Sequence, residues 1–370
     1  MKVIITGGTG LAGSRLARSL AADGHDVVVL SRSPEKKGSM FSEPNIRVVG
    51  WDAKTAAGWG AEADGADAIV NLAGESIGGD GSFPPPRWTE ERKRRIMQSR
   101  LDAGRAVVEA VEQAENKPRV LVQSSASGYY GPRGDEVVTE EAGPGPADDF
   151  QATVTRAWEG ATDRVEEMGM RRAIIRSGVM LDDQSGALPS MIFGVKMLGG
   201  ALGSGEQYFP WVHVDDVARA IRFLIENDTA SGPYNLTAPH PIRQKDAAAV
   251  IGRVIGRPAV VPVPAFALKA ALGEISTLVL DGQRLIPAKL HVVEPGAAEV
   301  VDLPVPAYWQ RPQPQREADL VAIGEHRRSL LDRHQGRRDR AQALGALVER
   351  RDRLGRGVHA EAVLVAHHRG

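Results

Sequence analysis

Met1-Lys-Val-Ile-Ile-Thr-Gly-Gly-Thr-Gly-Leu-Ala-Gly13 opens the chain, and its reading decides the fold. Val3 to Ile5 are β-branched and apolar, the composition of a strand buried on both faces. Thr6-Gly7-Gly8-Thr9-Gly10-Leu11-Ala12-Gly13 follows without a gap, and an amphipathic pattern with Leu16, Ala17 and Leu20 on one side begins near Leu11. Strand, glycine turn and helix in that order form the first turn of a dinucleotide-binding unit. Gly7 makes the tight turn, Gly10 lets a pyrophosphate approach the backbone, and Gly13 lets the helix pack on the strand. The helix N-terminus offers unpaired N–H groups and the positive end of its dipole to phosphate. An ordinary glycine-rich turn is the alternative, and the flanking strand and helix weigh against it.

The totals bound the class. The 370 residues suffice for one large domain plus additions. Charged residues make up 25% and apolar residues 42%, as in an ordinary globular protein. A formal net charge of −1 gives no field that draws in nucleic acid or membrane. With no cysteine, disulfides, zinc–thiolate sites and a cysteine nucleophile are excluded. No apolar run approaches the roughly 18 residues of a membrane span, and Met1-Lys2 runs straight into a core strand. The expectation is a cytoplasmic protein with a small-molecule substrate, without nucleic-acid or membrane partners.

Along the chain, strands are expected at His25–Leu30, Ile46–Gly50, Ala66–Gly74, Arg119–Ser127 and Arg172–Leu181. Helical patterns separate them, including Glu90–Glu112 and one between Phe150 and Met168. Such alternation predicts an α/β protein with a doubly wound parallel sheet. The second strand ends in Ser31-Arg32-Ser33, where an NAD-binding unit carries a carboxylate for the ribose 2′-OH. Arg32 suits a 2′-phosphate, so NADP(H) is expected over NAD(H); a solvated loop cation is the alternative. Trp51-Asp52 ends the third strand where an adenine could sit. Leu72, Ala73 and Gly74 form a small-residue turn at the end of the fourth, and Ser124 lies near the end of the fifth. The cofactor set is thus Thr6, Gly7, Gly8, Gly10, Leu11, Gly13, Arg32, Asp52, Leu72, Ala73, Gly74 and Ser124. The charged run Glu90–Arg95 reads as a solvated helix face. Asp215 or Asp216 is placed to cap a helix running to about Glu226 or to favour its positive end.

These motifs, with Asn71-Leu-Ala-Gly74, Arg87-Trp88, Ser124-Ser-Ala-Ser-Gly-Tyr-Tyr-Gly131, Arg176-Ser-Gly178, Trp211-Val-His-Val-Asp-Asp216, Asp281-Gly-Gln-Arg284 and Pro287-Ala-Lys-Leu290, come in a family order. Residues 1 to about 290 resemble the atypical extended short-chain dehydrogenase/reductases, the NAD-dependent epimerase/dehydratase family or sugar nucleotide epimerase-like proteins. Some members carry a cell-division-inhibitor-like label. The resemblance implies a Rossmann domain at 1–230, which takes in part of the substrate side at about 182–210, and a small, truncated C-terminal domain at 231–290.

It also implies a departure. Active members use a Ser, a Tyr and a Lys, the last two in a Tyr-x-x-x-Lys helix. Here Phe150 and Val154 occupy the Tyr and Lys positions, and the Ser position falls on Ala126. The candidates for substitute acid/base roles are Tyr129, Ser125, Ser127 and Asp149. A structural role is the alternative for Tyr129, and helix N-capping for Asp149. His213 could titrate near neutrality, or be a buried residue holding the Trp211 loop. No metal-ligand spacing appears. Two readings stand: an NADP(H)-dependent oxidoreductase or epimerase with non-standard acid/base residues, and a cofactor-binding sensor or cell-division partner without turnover.

After Lys289 lysine vanishes, arginine reaches thirteen in residues 301–370, and six of nine histidines lie at or beyond His291. Too little apolar surface remains there for a packed core. The tail is expected to be disordered and to play no part in cofactor binding. It reads as GC-rich coding sequence in a shifted frame, with a genuine basic extension as the alternative.

Overall fold

In the computed structural model, the residues described are 1–79, 84–182, 185–257, 259 and 261–290. The expectations for the tail at 291–370 and for part of the loop after Gly74 therefore lie outside them.

Strand β1 (Lys2–Thr6) sits at the middle of the sheet, and its side chains alternate between two cores. Val3 and Ile5 pack beneath helix α1 (Leu11–Ala22), with Leu16, Leu20, Val27 and Val29. Ile4 faces the other way, onto Val28, Ile69, Leu121 and the small side chains of helix α2 (Glu90–Gln113). Each such β-branched side chain contributes about 1.5–3 kcal/mol by leaving water, so the near-continuous apolar run at 3–5 commits the segment to the centre.

Strands β2 (Asp26–Ser31), β3 (Ile46–Gly50), β4 (Ala68–Asn71), β5 (Val120–Ala126) and β6 (Arg171–Ser177) follow, with helix α3 (Phe150–Gly160) between the last two. After helix α4 (Ala187–Leu198) and helix α5 (Val214–Glu226) comes β7 (Gly232–Leu236). All seven strands are parallel, in the order β7-β6-β5-β4-β1-β2-β3. This is the doubly wound arrangement, with its topological switch between β1 and β4.

Three local readings change. The strand expected at 172–181 is two pieces, because a Cβ at Gly178 would stand 2.6 Å from the Pro210 carbonyl oxygen. The chain turns there, and Val179–Leu181 pairs with Trp211–His213 instead. The helix expected from Phe150 to Met168 breaks after Gly160 and resumes only over Arg164–Glu167. Helix α5 is capped by His213, whose Nδ1 accepts the Asp215 N–H at 3.2 Å, while Asp215 and Asp216 stand in its first turn, at the positive end of the dipole. The Rossmann sheet also runs past residue 230, since β7 completes it.

The segment after β7 adds helices at Gln244–Val254 and Ala265–Leu272. It returns to the sheet at its end. The buried Glu140 carboxylate accepts the N–H groups of Asn235, Ala288 and Lys289, and Leu290 packs into the core beside α5. Among the described residues no helix is long and apolar enough to cross a membrane.

Candidate functional site

The turn after β1 is built by steric exclusion. Gly7 has φ +66°, and a Cβ there would stand 3.0 Å from the Leu72 carbonyl. At Gly8 the added carbon would meet Val29 at 2.8 Å. At Gly13 it would lie 2.6 Å from both the Gly7 oxygen and the Gly8 Cα, so only glycine lets α1 approach the turn. Gly10 differs: it is exposed, and an added carbon would approach only the Gly7 oxygen, at 3.2 Å. Gly10 is the N-cap of α1 and supplies no side-chain cap, so no capping side chain answers the first-turn N–H groups. A helix start of this kind can receive a pyrophosphate, and the residues present fit a dinucleotide.

Thr6 serves this turn from inside. Fully buried, it donates from Oγ1 to Asn71 Oδ1 at 2.6 Å and accepts from the Leu72 and Ala73 N–H groups at 3.1 and 3.2 Å. Asn71 donates on to Gln123 at 2.9 Å, which ties the ends of β1, β4 and β5 together. Leu72 and Ala73 are half-buried, whereas Gly74 is exposed at the rim. Leu11 is half-buried under the segment leading into α4, where a Cβ on Gly186 would touch it at 3.0 Å. Ser124 is buried near the end of β5.

On the β2 side Arg32 is exposed, one residue beyond the strand. Asp52 is exposed too, but its carboxylate accepts from the Lys54 and Thr55 N–H groups at 2.7 and 2.8 Å and from the Thr55 hydroxyl at 2.9 Å. Those bonds, Thr55 first, hold its pKa below the usual carboxylate value. The side chain shapes its own turn.

At the end of β5 a polar network lies under the sheet edge. Ser125 donates to buried Glu159 at 2.6 Å. Arg176 forms a fork to the same carboxylate, at 2.9 and 3.0 Å, and donates to the Tyr130 hydroxyl at 3.1 Å. Tyr130 in turn donates to Asn235 at 2.7 Å. Burial pushes the Tyr130 hydroxyl up to about 12 and keeps it protonated as a donor to Asn235. Burial opposes the charge on Arg176, yet its hydrogen bonds and attraction to Glu159 outweigh that and raise its pKa. The Arg176 guanidinium lies 3.4 Å over the ring of half-buried Tyr129. Ser127 is half-buried in the turn between β5 and Tyr129. Asp149 caps α3 through the Ala152 N–H at 2.7 Å. Phe150 packs edge-on against Trp88 at 5.0 Å, with Lys93 5.4 Å from its ring, and Val154 is buried beside Ile96, Trp88 and Ile275. The Tyr and Lys positions of the resemblance are therefore filled by packing side chains.

Residues 3–237 match the model of the NAD dependent epimerase/dehydratase family. The chain belongs to that family. Residues 263–292 match a second model, a domain of unknown function numbered 1731. Epimerase family protein YfhF of Bacillus subtilis is 40% identical over 290 residues, 78% of this chain and 91% of that protein. A chloroplastic epimerase family protein of Arabidopsis thaliana, the SDR39U1 homolog, is 40% identical over 295 residues, 78% of this chain and 81% of its own length. Among solved structures, human epimerase family protein SDR39U1 with NADPH superposes with a TM-score of 0.66 at 30% identity. The match covers 78% of this chain and 92% of the human one. The family carries an NAD(P)-binding fold.

Glu159 is a site residue with no signal in the sequence. The charged run at 90–95 is exposed at Glu90, Glu91, Arg94 and Arg95, with Arg92 buried at 6% exposure; Arg100, beyond the run, is buried at 7%. Helical spacing from Ile96 was the available signal, since Arg100 lies one turn beyond it on the buried face.

Proposed function

We propose that this protein is an NADP(H)-dependent oxidoreductase acting on a small carbonyl or alcohol substrate, with Tyr129 in the acid/base role. One observation carries the cofactor half: the open cradle at Gly10 stands beside a β2 strand that ends in exposed Arg32, with no carboxylate at Ser31 or Ser33. A guanidinium there pairs with a 2′-phosphate and has no use for a bare ribose hydroxyl. NADPH bound to a human relative supports the same choice. Gly7, Gly8, Gly10 and Gly13 would hold the pyrophosphate, Arg32 the 2′-phosphate, and the Leu72–Gly74 turn with Ser124 the other half of the dinucleotide.

Bound NADPH supplies hydride, and a proton must reach the carbonyl oxygen as it becomes a hydroxyl. Of the candidates, Asp149 is committed to capping and Ser125 to Glu159. Tyr129 keeps its ring braced by Arg176 and edge-on to Tyr130 at 5.3 Å, which orients its phenol without consuming it. Ser127 is available to hold the substrate oxygen. The assignment carries with it a cytoplasmic protein that needs neither membrane nor nucleic acid. NADPH oxidation across a panel of aldehydes, ketones and keto-sugars tests the reading, and Tyr129→Phe should reduce the rate at least a hundredfold. Unchanged turnover in that variant removes Tyr129 from the chemistry.

The apolar packing of Phe150 and Val154 favours a second reading, a cofactor-binding sensor or cell-division partner without turnover. Tight NADPH binding with no oxidation by any of the panel would select it.

A further inference from the structure

Arg100 is buried in an arrangement that leaves part of its guanidinium unused. It stands on α2 at 7% exposure, with its guanidinium 4.5 Å over the Trp158 ring. Nη1 donates to the carbonyls of Ile96 and Glu75, both at 2.9 Å. Nε is buried with no partner. Among the described residues no carboxylate forms an ion pair with it, and the Glu75 carboxylate turns to Arg95 at 3.5 Å. Burial lowers the Arg100 pKa to about 10, against the pull of the Glu75 charge. Removing a guanidinium from water is unfavourable unless an anion answers it.

The position of this charge is specific. A Cβ on Gly74 would stand 3.1 Å from the Arg100 Cζ, so the cation lies directly behind the exposed end of the β4 turn. The same turn touches the glycine cradle, since Leu72 abuts Gly7. In the strand order β3-β2-β1-β4-β5, a dinucleotide with its 2′-phosphate at Arg32 and its pyrophosphate at α1 runs on across β4 and β5. Glu75 is fixed twice over, by its carbonyl on Arg100 and by its N–H on Ser99 Oγ at 2.9 Å. Helix α3 meets Arg100 with the Trp158 ring.

Resting on the NADP(H) reading, we infer that Arg100 is a positioning residue of the cofactor site, whose positive charge is answered by the bound dinucleotide. It sets the Gly74–Glu75 turn and lends its field to the non-adenosine half. Direct contact is not required, because the charge acts through one backbone layer in a low-dielectric setting.

Two full-length variants and two ligands test this. Arg100→Met keeps the stem over Trp158 and deletes the charge; Arg100→Lys keeps the charge and loses the fork. Calorimetric titration should show NADPH binding weakened at least tenfold by Arg100→Met and no more than threefold by Arg100→Lys. Adenosine 2′,5′-bisphosphate, which ends before β4, should bind both variants as it binds the wild type. The ligand-free Arg100→Met protein should melt at or above the wild-type temperature, because an unanswered buried charge has gone. NADPH binding unchanged in Arg100→Met overturns the inference, as does equal weakening of both ligands. So does a lowered melting temperature with affinity retained, which would make Arg100 a simple brace. Should Arg100→Met fail to fold, Arg100→Gln replaces it, and failure of both assigns a structural role and ends the proposal. A wild type that does not bind NADPH would sink the cofactor reading itself, an outcome distinct from all of these.

Discussion

Gly10 and Gly13 are three residues apart, and the structure separates their duties. At Gly10 the backbone is extended, with φ −83° and ψ −179°, so a side chain brings no conformational strain. Its Cβ would lie 3.2 Å from the Gly7 oxygen and near nothing else, a contact relieved by a few tenths of an ångström. Valine is a poorer N-cap than glycine by about 1 kcal/mol, which lowers the melting temperature by about 2–4 °C in a domain of this class. The methyl groups of Gly10→Val would project into the space before α1. Two charge-assisted hydrogen bonds from helix N–H groups to phosphate, each about 1.5–3 kcal/mol, would go. The loss of about 3–6 kcal/mol corresponds to a weakening on the order of 10²- to 10⁴-fold. Gly13→Ala is the counterpart. Its carbon would sit 2.6 Å from two backbone atoms that cannot yield singly, so α1 must lift off the sheet at about 1–3 kcal/mol. Calorimetric NADPH titration and thermal melting of both variants decide the matter. A Gly10→Val protein that binds NADPH within threefold of wild type refutes the placement of the pyrophosphate, and a Gly13→Ala protein as stable as wild type refutes the packing argument.

Three other outcomes follow from single side chains. Arg32→Asp should reverse a preference of at least tenfold for NADPH over NADH, and equal wild-type affinities for the two would defeat the assignment. Glu159→Gln leaves the Arg176 charge buried without its partner, so unfolding in urea should show a loss of about 3–5 kcal/mol; a change under 1 kcal/mol would mean the pair carries no weight. Glu62 is held at about 2, chiefly by its hydrogen bonds to Arg47 and then by Lys2, against a partial burial that opposes them. Because the folded value is depressed, its contribution is complete above the unfolded value of 4.5 and fades as pH falls from there toward 2. Glu62→Gln should therefore cost about 1 kcal/mol at neutral pH after solvent screening, and the two proteins should converge near pH 2. A difference that persists in acid would contradict the ion-pair origin.

What the sequence determined alone was the part of the protein specified by short-range rules. The β-branched run at 3–5, the glycines at 7, 10 and 13 and the alternation of strands and helices sufficed for a doubly wound sheet and for the glycine turn that leads from β1 into α1. Backbone approach and side-chain period are local properties, and three glycines at that spacing after a core strand leave few other solutions. Arg32 and the Phe150 and Val154 replacements were legible for the same reason, since each lies at a fixed offset from an element end. The tertiary structure decided what residues do once distant segments meet. It showed Thr6 spent on Asn71 and the Leu72–Ala73 turn, Ser125 spent on Glu159, His213 rather than an aspartate capping α5, and Gly232–Leu236 joining the sheet past residue 230. It also set Arg100, five residues beyond the charged run at 90–95, behind Gly74 with an unpaired Nε. Charge in a sequence is silent on burial: a guanidinium enters a core only where partners from elsewhere in the chain receive it, and those partners, Glu75 and Trp158, are not its sequence neighbours.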